Sequence, residues 1–116
     1  MQGMVLDDVS HHSQLLKGLL DMCLLAAVSD GPSYGYEMLR ELTANGLEVA
    51  GEASIYPILK RLTNRGLIES YLEDSPAGPA RKYHRLTPAG RESLTEWVSD
   101  WQTVKKGVDD VLGDHL

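Results

Sequence analysis

The hydrophobic pattern changes its period after Gly66, and this change limits the possible folds more than any other feature of the sequence. Before it, apolar residues recur at helical spacing in three segments joined by short turns: residues 14–29, 33–46 and 54–65. After it, residues 67–73 and 81–86 show the partial alternation typical of strands, and the segment 74–80 predicts a mobile hairpin tip. Three helices followed by a hairpin is the order of a winged helix-turn-helix, so we predict a mainly α fold with a small β hairpin.

Cap and turn residues predict where the helices begin and end. Ser33 is expected to cap the second helix, and Gly46 is expected to end it in a left-handed conformation. Ser54 is expected to cap the third helix. Pro57 then falls in the first turn, where a missing N–H costs no intrahelical hydrogen bond.

Thr87 and Pro88 predict the start of a final helix. Its apolar residues recur at intervals of 3 and 4 along one stripe, which a lone helix cannot bury. We therefore predict that residues 87–116 form a dimerisation helix whose contacts come from seven residues: Leu94, Trp97, Val98, Trp101, Val104, Val108 and Val111. Trp97 and Trp101 are also candidates for binding a small aromatic or hydrophobic effector, although dimer packing alone explains both.

Charge is distributed unevenly along the chain. The formal net charge of −6 argues, taken alone, against a nucleic-acid partner, because phosphate binding depends on Lys and Arg. However, seven of the 11 basic residues lie between positions 60 and 91: Lys60, Arg61, Arg65, Arg81, Lys82, Arg85 and Arg91. One basic face on an acidic body is therefore expected.

Other classes of protein are not favoured. The longest apolar stretch, residues 19–28, falls short of the roughly 20 residues that a bilayer requires. Asp7 and Asp8 stand where a secretory signal carries basic residues, and the lone Cys23 fits a buried thiol, so a cytoplasmic location is expected.

The sequence also contains no nucleophile elbow, no Gly-rich phosphate loop and no zinc-ligand spacing. We therefore expect no catalytic residues, no cofactor and no bound metal. His11 and His12 are interpreted as part of a flexible N-terminal segment, residues 1–13, that precedes the winged helix-turn-helix domain over residues 14–86.

The third predicted helix has a polar and cationic outer face. If Ile55, Leu59 and Leu62 face the core, the outward side chains are Tyr56, Lys60, Thr63 and Asn64, with Pro57, Arg61 and Arg65 beside them. Such groups read base edges or bind phosphates in a major groove, although a solvated helix face is the plainer interpretation. The cationic residues of the hairpin would reach a neighbouring phosphate backbone or minor groove.

Four segments of the chain resemble the PadR-like family of transcriptional regulators. They are Ser33-Tyr34-Gly35-Tyr36-Glu37, residues 53–62 (ASIYPILKRL), residues 65–68 (RGLI) and residues 78–87 (GPARKYHRLT). Each segment alone is weak evidence, but four in the right order and at the right separations are specific. The resemblance covers about residues 14 to 112.

This resemblance implies a dimeric winged-helix repressor that binds a pseudo-palindromic operator in double-stranded promoter DNA. Its short subgroup has one C-terminal helix, as here. The candidate DNA-binding residues are Ser33, Tyr34, Ser54, Tyr56, Pro57, Lys60, Arg61, Asn64, Arg81, Lys82 and His84. Tyr34 and Tyr36 are interpreted as core or helix-packing residues, which for Tyr34 is the alternative to DNA contact. The family often has a second aromatic residue where this chain has His84.

Two other functions are considered. A winged helix that binds a protein partner, and no specific DNA, is compatible with the acidic net charge. An enzyme would need a pocket with convergent titratable groups, which the sequence does not suggest.

Overall fold

The structure, a computed structural model, describes residues 10–116. In chain order its elements are α1 (His11–Leu16), α2 (Leu20–Ala27), β1 (Ser33–Tyr34), α3 (Gly35–Ala44), α4 (Glu52–Asn64), β2 (Ile68–Ser75), β3 (Gly78–Leu86) and α5 (Pro88–Leu112), followed by a 3-10 turn, Gly113–His115. The predicted class, mainly α with a small β component, is confirmed. Within the described residues, no helix is both long enough and apolar enough for a membrane span.

The first predicted helix is divided into two. Residues 17–19, which include Gly18, separate α1 from α2. The Ser10 side chain accepts a hydrogen bond from the Ser13 amide at 3.0 Å, so α1 begins at His11, before the predicted start. His12 accepts a hydrogen bond from the Glu48 amide at 3.1 Å, so both histidines belong to a packed helix and not to a tail. Residues 1–9 of the predicted flexible segment lie outside the described residues.

A short third strand joins the predicted hairpin. Ser33 and Tyr34 pair with His84 and Tyr83, which gives a sheet of order β1-β3-β2. The prediction that Ser33 caps the second helix is therefore wrong, because Tyr34 holds the cap position without a side-chain hydrogen bond. Two residues are too few to show alternation, so β1 could not be predicted from local spacing.

Helix α4 begins earlier than predicted. Its N-cap is Gly51, whose φ of 116° lies in a backbone region that favours glycine. Ser54 therefore lies inside the helix and not at its cap. Pro57 consequently lies in the second turn, where its ring nitrogen cannot donate to the Ala53 carbonyl. Ala53 is exposed, so water can satisfy that oxygen.

The hairpin is longer than predicted. Only Pro76 and Ala77 form the turn, because Ser75 already pairs with Gly78, and a register shift lies between Glu73 and Ser75. Most of the segment predicted to be a mobile tip therefore belongs to the two strands.

The core lies between α2, α3, α4 and the start of β2. It is formed by Leu24, Leu25, Val28, Met38, Leu42, Ile55, Ile58, Leu59, Leu62, Leu67 and Ile68. Helix α5 begins as predicted, since the Thr87 hydroxyl accepts a hydrogen bond from the Gly90 amide at 3.0 Å. Gly90 lies so close to the Leu67 carbonyl that a Cβ would clash with it. Leu94 and Trp97 then pack against the core, so the first turns of α5 are fixed to the domain.

Candidate nucleic-acid interface

The buried stripe of α4 determines which side chains the helix presents to solvent. Four apolar residues point into the core: Ile55, Ile58, Leu59 and Leu62. Residues spaced four apart on the other side form a row along the helix, which we call the α4 row: Glu52, Tyr56, Lys60 and Asn64. Tyr56 is 52% exposed, and Lys60 and Asn64 are also exposed. Pro57, another candidate, is exposed beside this row.

Lys82 of β3 faces the same space as the α4 row. Tyr56, Lys60, Thr63 and Asn64 line a groove of about 400 Å³ together with Lys82 and His84. The groove therefore brings two ammonium groups, two hydroxyls and a side-chain amide together between α4 and the sheet of β1, β3 and β2, which we call the wing. Ammonium and amide groups are donors that bind phosphates and base edges.

Arg81 lies on the opposite face of the sheet from Lys82, because neighbouring residues in a strand point to opposite sides. Its guanidinium lies 4.8 Å from the centre of the Tyr34 ring, and that ring packs edge-on against Tyr83 at 5.2 Å. Tyr34 is thus a packing residue, the alternative considered for it. Tyr36, for which packing was also considered, is 50% exposed.

Arg61 is turned away from the groove that Lys60 lines. Its guanidinium forms two hydrogen bonds to Asp21 of α2, from Nη2 at 2.8 Å and from Nε at 3.3 Å. This carboxylate raises the pKa of Arg61. Contact between Arg61 and DNA stays a prediction, and it would require this ion pair to open. Ser54 lies on the same side, where it lines a cavity with Ile58 and Arg61.

Two candidate residues, Ser33 and His84, are buried. Ser33 is 6% exposed, and its hydroxyl donates a hydrogen bond to Glu37 at 2.8 Å. His84 is 4% exposed, and its Nδ1 shares a hydrogen bond with the Ser70 hydroxyl at 3.0 Å. Burial, with a smaller contribution from nearby Lys82, lowers the pKa of His84, so its imidazole is neutral at neutral pH. Neither side chain is presented to solvent as the sequence suggested.

Glu52 is part of the α4 row and was not among the sequence-based candidates. The Tyr56 hydroxyl donates a hydrogen bond to Glu52 Oε2 at 2.7 Å. This hydrogen bond, followed by burial and the negative charge of Glu52, raises the pKa of Tyr56. The four-residue spacing of Glu52 and Tyr56 in the sequence is typical of neighbouring side chains on one helix. Because the predicted helix began at Ser54, Glu52 lay outside it, and this contact was not predicted.

The predicted dimerisation residues fall into two groups. Leu94 and Trp97 pack within the chain, and Trp101 is half-buried. The other four are exposed: Val98, Val104, Val108 and Val111. Both tryptophans line a cavity of about 490 Å³ between α5 and the junction of α1 with α2, together with Arg61 and Asp21.

The cations of the groove lack the carboxylate partner that four other cations have. Arg85 is paired with Glu69 at 2.8 Å, and Lys105 and Lys106 are paired with carboxylates one turn further along α5. Within residues 10–116, Lys60 and Lys82 form no such ion pair. Over the same range, no group of three His, Cys, Asp or Glu side chains is placed to hold a metal ion.

A helix with one buried and one polar face, set beside a three-stranded wing with unpaired cations, defines a winged helix-turn-helix DNA-binding protein. Residues 24–96 match the model of the transcriptional regulator PadR-like family. The chain belongs to this family, whose members regulate transcription through DNA binding and are not enzymes.

The chain is also similar to individual proteins. The chain is 35% identical over 100 residues to an uncharacterized protein of Lysinibacillus sphaericus, and the alignment covers 84% of this chain and 91% of the relative. It is 34% identical over 90 residues to a transcriptional regulator of Mycobacterium tuberculosis, and that alignment covers 78% of this chain and 79% of the relative. The crystal structure of a PadR-like transcriptional regulator from Bacillus cereus superposes with a TM-score of 0.78 at 40% sequence identity, and the superposition covers 87% of this chain and 98% of that chain.

The buried imidazole predicts a pH-dependent stability. Because the pKa of folded His84 is depressed, the unfolded chain takes up a proton below about pH 6.5 that the folded chain resists. Acidification through this window therefore lowers the free energy of unfolding, by at most about 1.4 kcal/mol per pH unit, until the depressed pKa is reached. Urea unfolding of the wild type and of His84→Asn, between about pH 7.5 and about pH 5.5, measures this loss.

The asparagine amide can replace the hydrogen bond to Ser70 but does not titrate. We expect the variant to lose less stability on acidification than the wild type, while the other histidines contribute equally to both. The same pH dependence in both proteins would show that His84 does not resist protonation.

Proposed function

We propose that this protein is a cytoplasmic transcriptional repressor that binds a pseudo-palindromic operator as a homodimer and blocks access of polymerase to the promoter. The observation that carries the proposal is the groove in which Lys60 and Asn64 of α4 face Lys82 of the wing. In this mechanism α4 enters the major groove, and Lys82 binds the phosphate backbone beside it.

The balance of charge supports DNA as the occupant of this groove. Lys60 and Lys82 have no carboxylate partner among the described residues, and a phosphate backbone supplies one negative charge at every nucleotide. The net charge of −6 does not exclude DNA binding in the groove, because the acidic residues lie mainly outside the segment 60–91. The acidic body would then point away from the duplex.

Salt dependence separates the contributions of the cations. We expect Lys60→Ala and Lys82→Ala each to weaken DNA binding and to reduce the slope of log K against log salt by about 1. Arg61→Ala should reduce the slope less, because Asp21 already neutralises that guanidinium. Lys106→Ala, which removes the same charge near the far end of α5, is the control. Fluorescence anisotropy with a duplex that the wild type selects from a random library measures each slope.

Unchanged slopes for Lys60→Ala and Lys82→Ala would contradict phosphate binding in the groove. Failure of the wild type to select any duplex, together with tight capture of a protein, would favour the alternative function. That alternative is a winged helix that binds a protein partner through the same surface, and the acidic net charge favours it.

The exposed stripe of α5 supports the homodimer. Val104 is 54% exposed and Val111 is 85% exposed. Both lie on the apolar stripe of α5 that begins at Leu94, where the side chain packs against the core. A second copy of α5 would cover this stripe at heptad spacing. Two linked copies would place their α4 helices in successive major grooves, about 34 Å apart.

A charge in the stripe tests this interface. We expect Val104→Asp to weaken dimerisation by about tenfold or more, because an ionised carboxylate is costly to bury between apolar side chains. Operator affinity should fall with it. Ser99→Asp, on the opposite side of the same helix, adds the same charge and should leave the dimer intact. Sedimentation over a range of protein concentrations measures both, and equal effects would place the interface elsewhere.

The cavity beside α5 supports an effector site. Its volume of about 490 Å³ is in the range that holds small ligands, and Trp97 and Trp101 supply aromatic surface. A flat hydrophobic or aromatic compound that binds there and changes the dimer geometry would release the operator.

The two tryptophans are the only ones in the chain, so their fluorescence reports this cavity directly. We expect the aromatic dye 8-anilinonaphthalene-1-sulfonate to quench them on binding and to weaken operator binding. Trp101→Ala should reduce dye affinity by about tenfold, whereas Trp101→Phe, which keeps an aromatic ring, should lose less. Equal dye affinity in all three proteins would exclude this cavity as the site.

A further inference from the structure

The first residue of α4 carries a carboxylate on the proposed DNA-binding surface. Glu52 follows Gly51 directly and begins the α4 row, in which Tyr56, Lys60 and Asn64 follow at four-residue intervals. In a helix-turn-helix, the N-terminal residues of the recognition helix are the ones that reach base edges. Glu52 is therefore placed for base contact, although its charge is unfavourable next to phosphates.

The Glu52 carboxylate is held in place by its neighbour. The Tyr56 hydroxyl donates to it at 2.7 Å, and the Tyr56 ring lies against Gly35, where a Cβ would be 3.3 Å from the ring. The ring is thus supported by the backbone of α3. An ionised carboxylate has about four acceptor positions, so it can accept further hydrogen bonds while this one is kept.

The chemistry of the major groove selects a base for such a group. A carboxylate only accepts hydrogen bonds, so it is repelled by guanine, which presents two acceptors, and it gains nothing from the thymine oxygen. Cytosine presents its N4 amine as a donor. Adenine presents an amine as well, but with the N7 acceptor beside it. A fixed carboxylate therefore favours cytosine.

We propose that Glu52 is a specificity-determining residue that accepts a hydrogen bond from the N4 amine of a cytosine in each operator half-site. Tyr56 is its positioning residue. This inference rests on the proposed sequence-specific binding by α4. It assigns base recognition to Glu52 and separates that role from phosphate binding by Lys60 and Lys82.

Selection from a random duplex library tests the proposal, with four proteins compared. The wild type should select a motif with one strongly preferred cytosine per half-site, about fivefold or more over the other bases in competition binding. Glu52→Gln should change that preference to adenine, since a glutamine amide pairs with N6 and N7 of adenine. Tyr56→Phe should weaken the cytosine preference and leave the remaining positions of the motif unchanged. Glu92→Gln, the same loss of charge on α5, should leave the whole motif unchanged.

A purely structural role for Glu52 predicts a different result, in which affinity falls for all sequences alike and the motif stays the same. Selection of the same base by the wild type and Glu52→Gln would overturn this inference and leave the proposed repressor intact. Selection of no motif by the wild type would overturn the proposed sequence-specific function and this inference with it. Urea unfolding of each variant confirms that the proteins compared are folded.

Discussion

The packing of α4 against α2 and α3 is the interaction on which the proposed DNA-binding surface depends. Ile55, Leu59 and Leu62 are almost fully buried, and burial of each such side chain contributes about 1.5–3 kcal/mol. Rotation of α4 by one residue, about 100°, would expose these residues and bury polar ones. The hydrophobic core therefore fixes the orientation of Lys60 and Asn64, and no separate interaction is needed to aim them.

The same periodicity explains which parts of the structure could be predicted from the sequence. The two faces of α4 and the start of α5 at Thr87 follow from local spacing and cap residues. Strand β1 does not, because its two residues acquire a strand conformation only by pairing with β3 far along the chain. Its partner His84 becomes buried through this pairing and through Ser70, so the sequence placed it wrongly on the surface.

Adjacent cations along the sequence do not share a surface in the structure. Lys60 and Arg61 are one residue apart on a helix, so they point about 100° apart, and Arg61 meets Asp21, which lies 40 residues earlier. Arg81 and Lys82 are neighbours in a strand and face opposite sides of the sheet. The basic segment therefore divides into a cluster in the groove and cations held elsewhere. Counting charges along the chain overestimates the local positive charge at the predicted interface.

In the proposed repressor, a ligand in the cavity beside α5 would act on DNA binding by two routes that differ in energy. One route runs through the ion pair of Asp21 with Arg61, which links α2 to α4 at the cavity wall. The Arg61 side chain is 52% exposed, and exposed ion pairs contribute little to stability, so opening this pair supplies little energy. Complete switching of a two-state equilibrium requires a roughly 10⁴-fold difference in ligand affinity between the states.

The second route runs through the dimer interface. Val104 lines the cavity and also belongs to the exposed stripe of α5, so a ligand that repacks Trp101 also changes the surface assigned to the dimer. In the proposed repressor, the dimer interface is therefore the route that can carry the larger energy, because it moves both α4 helices at once.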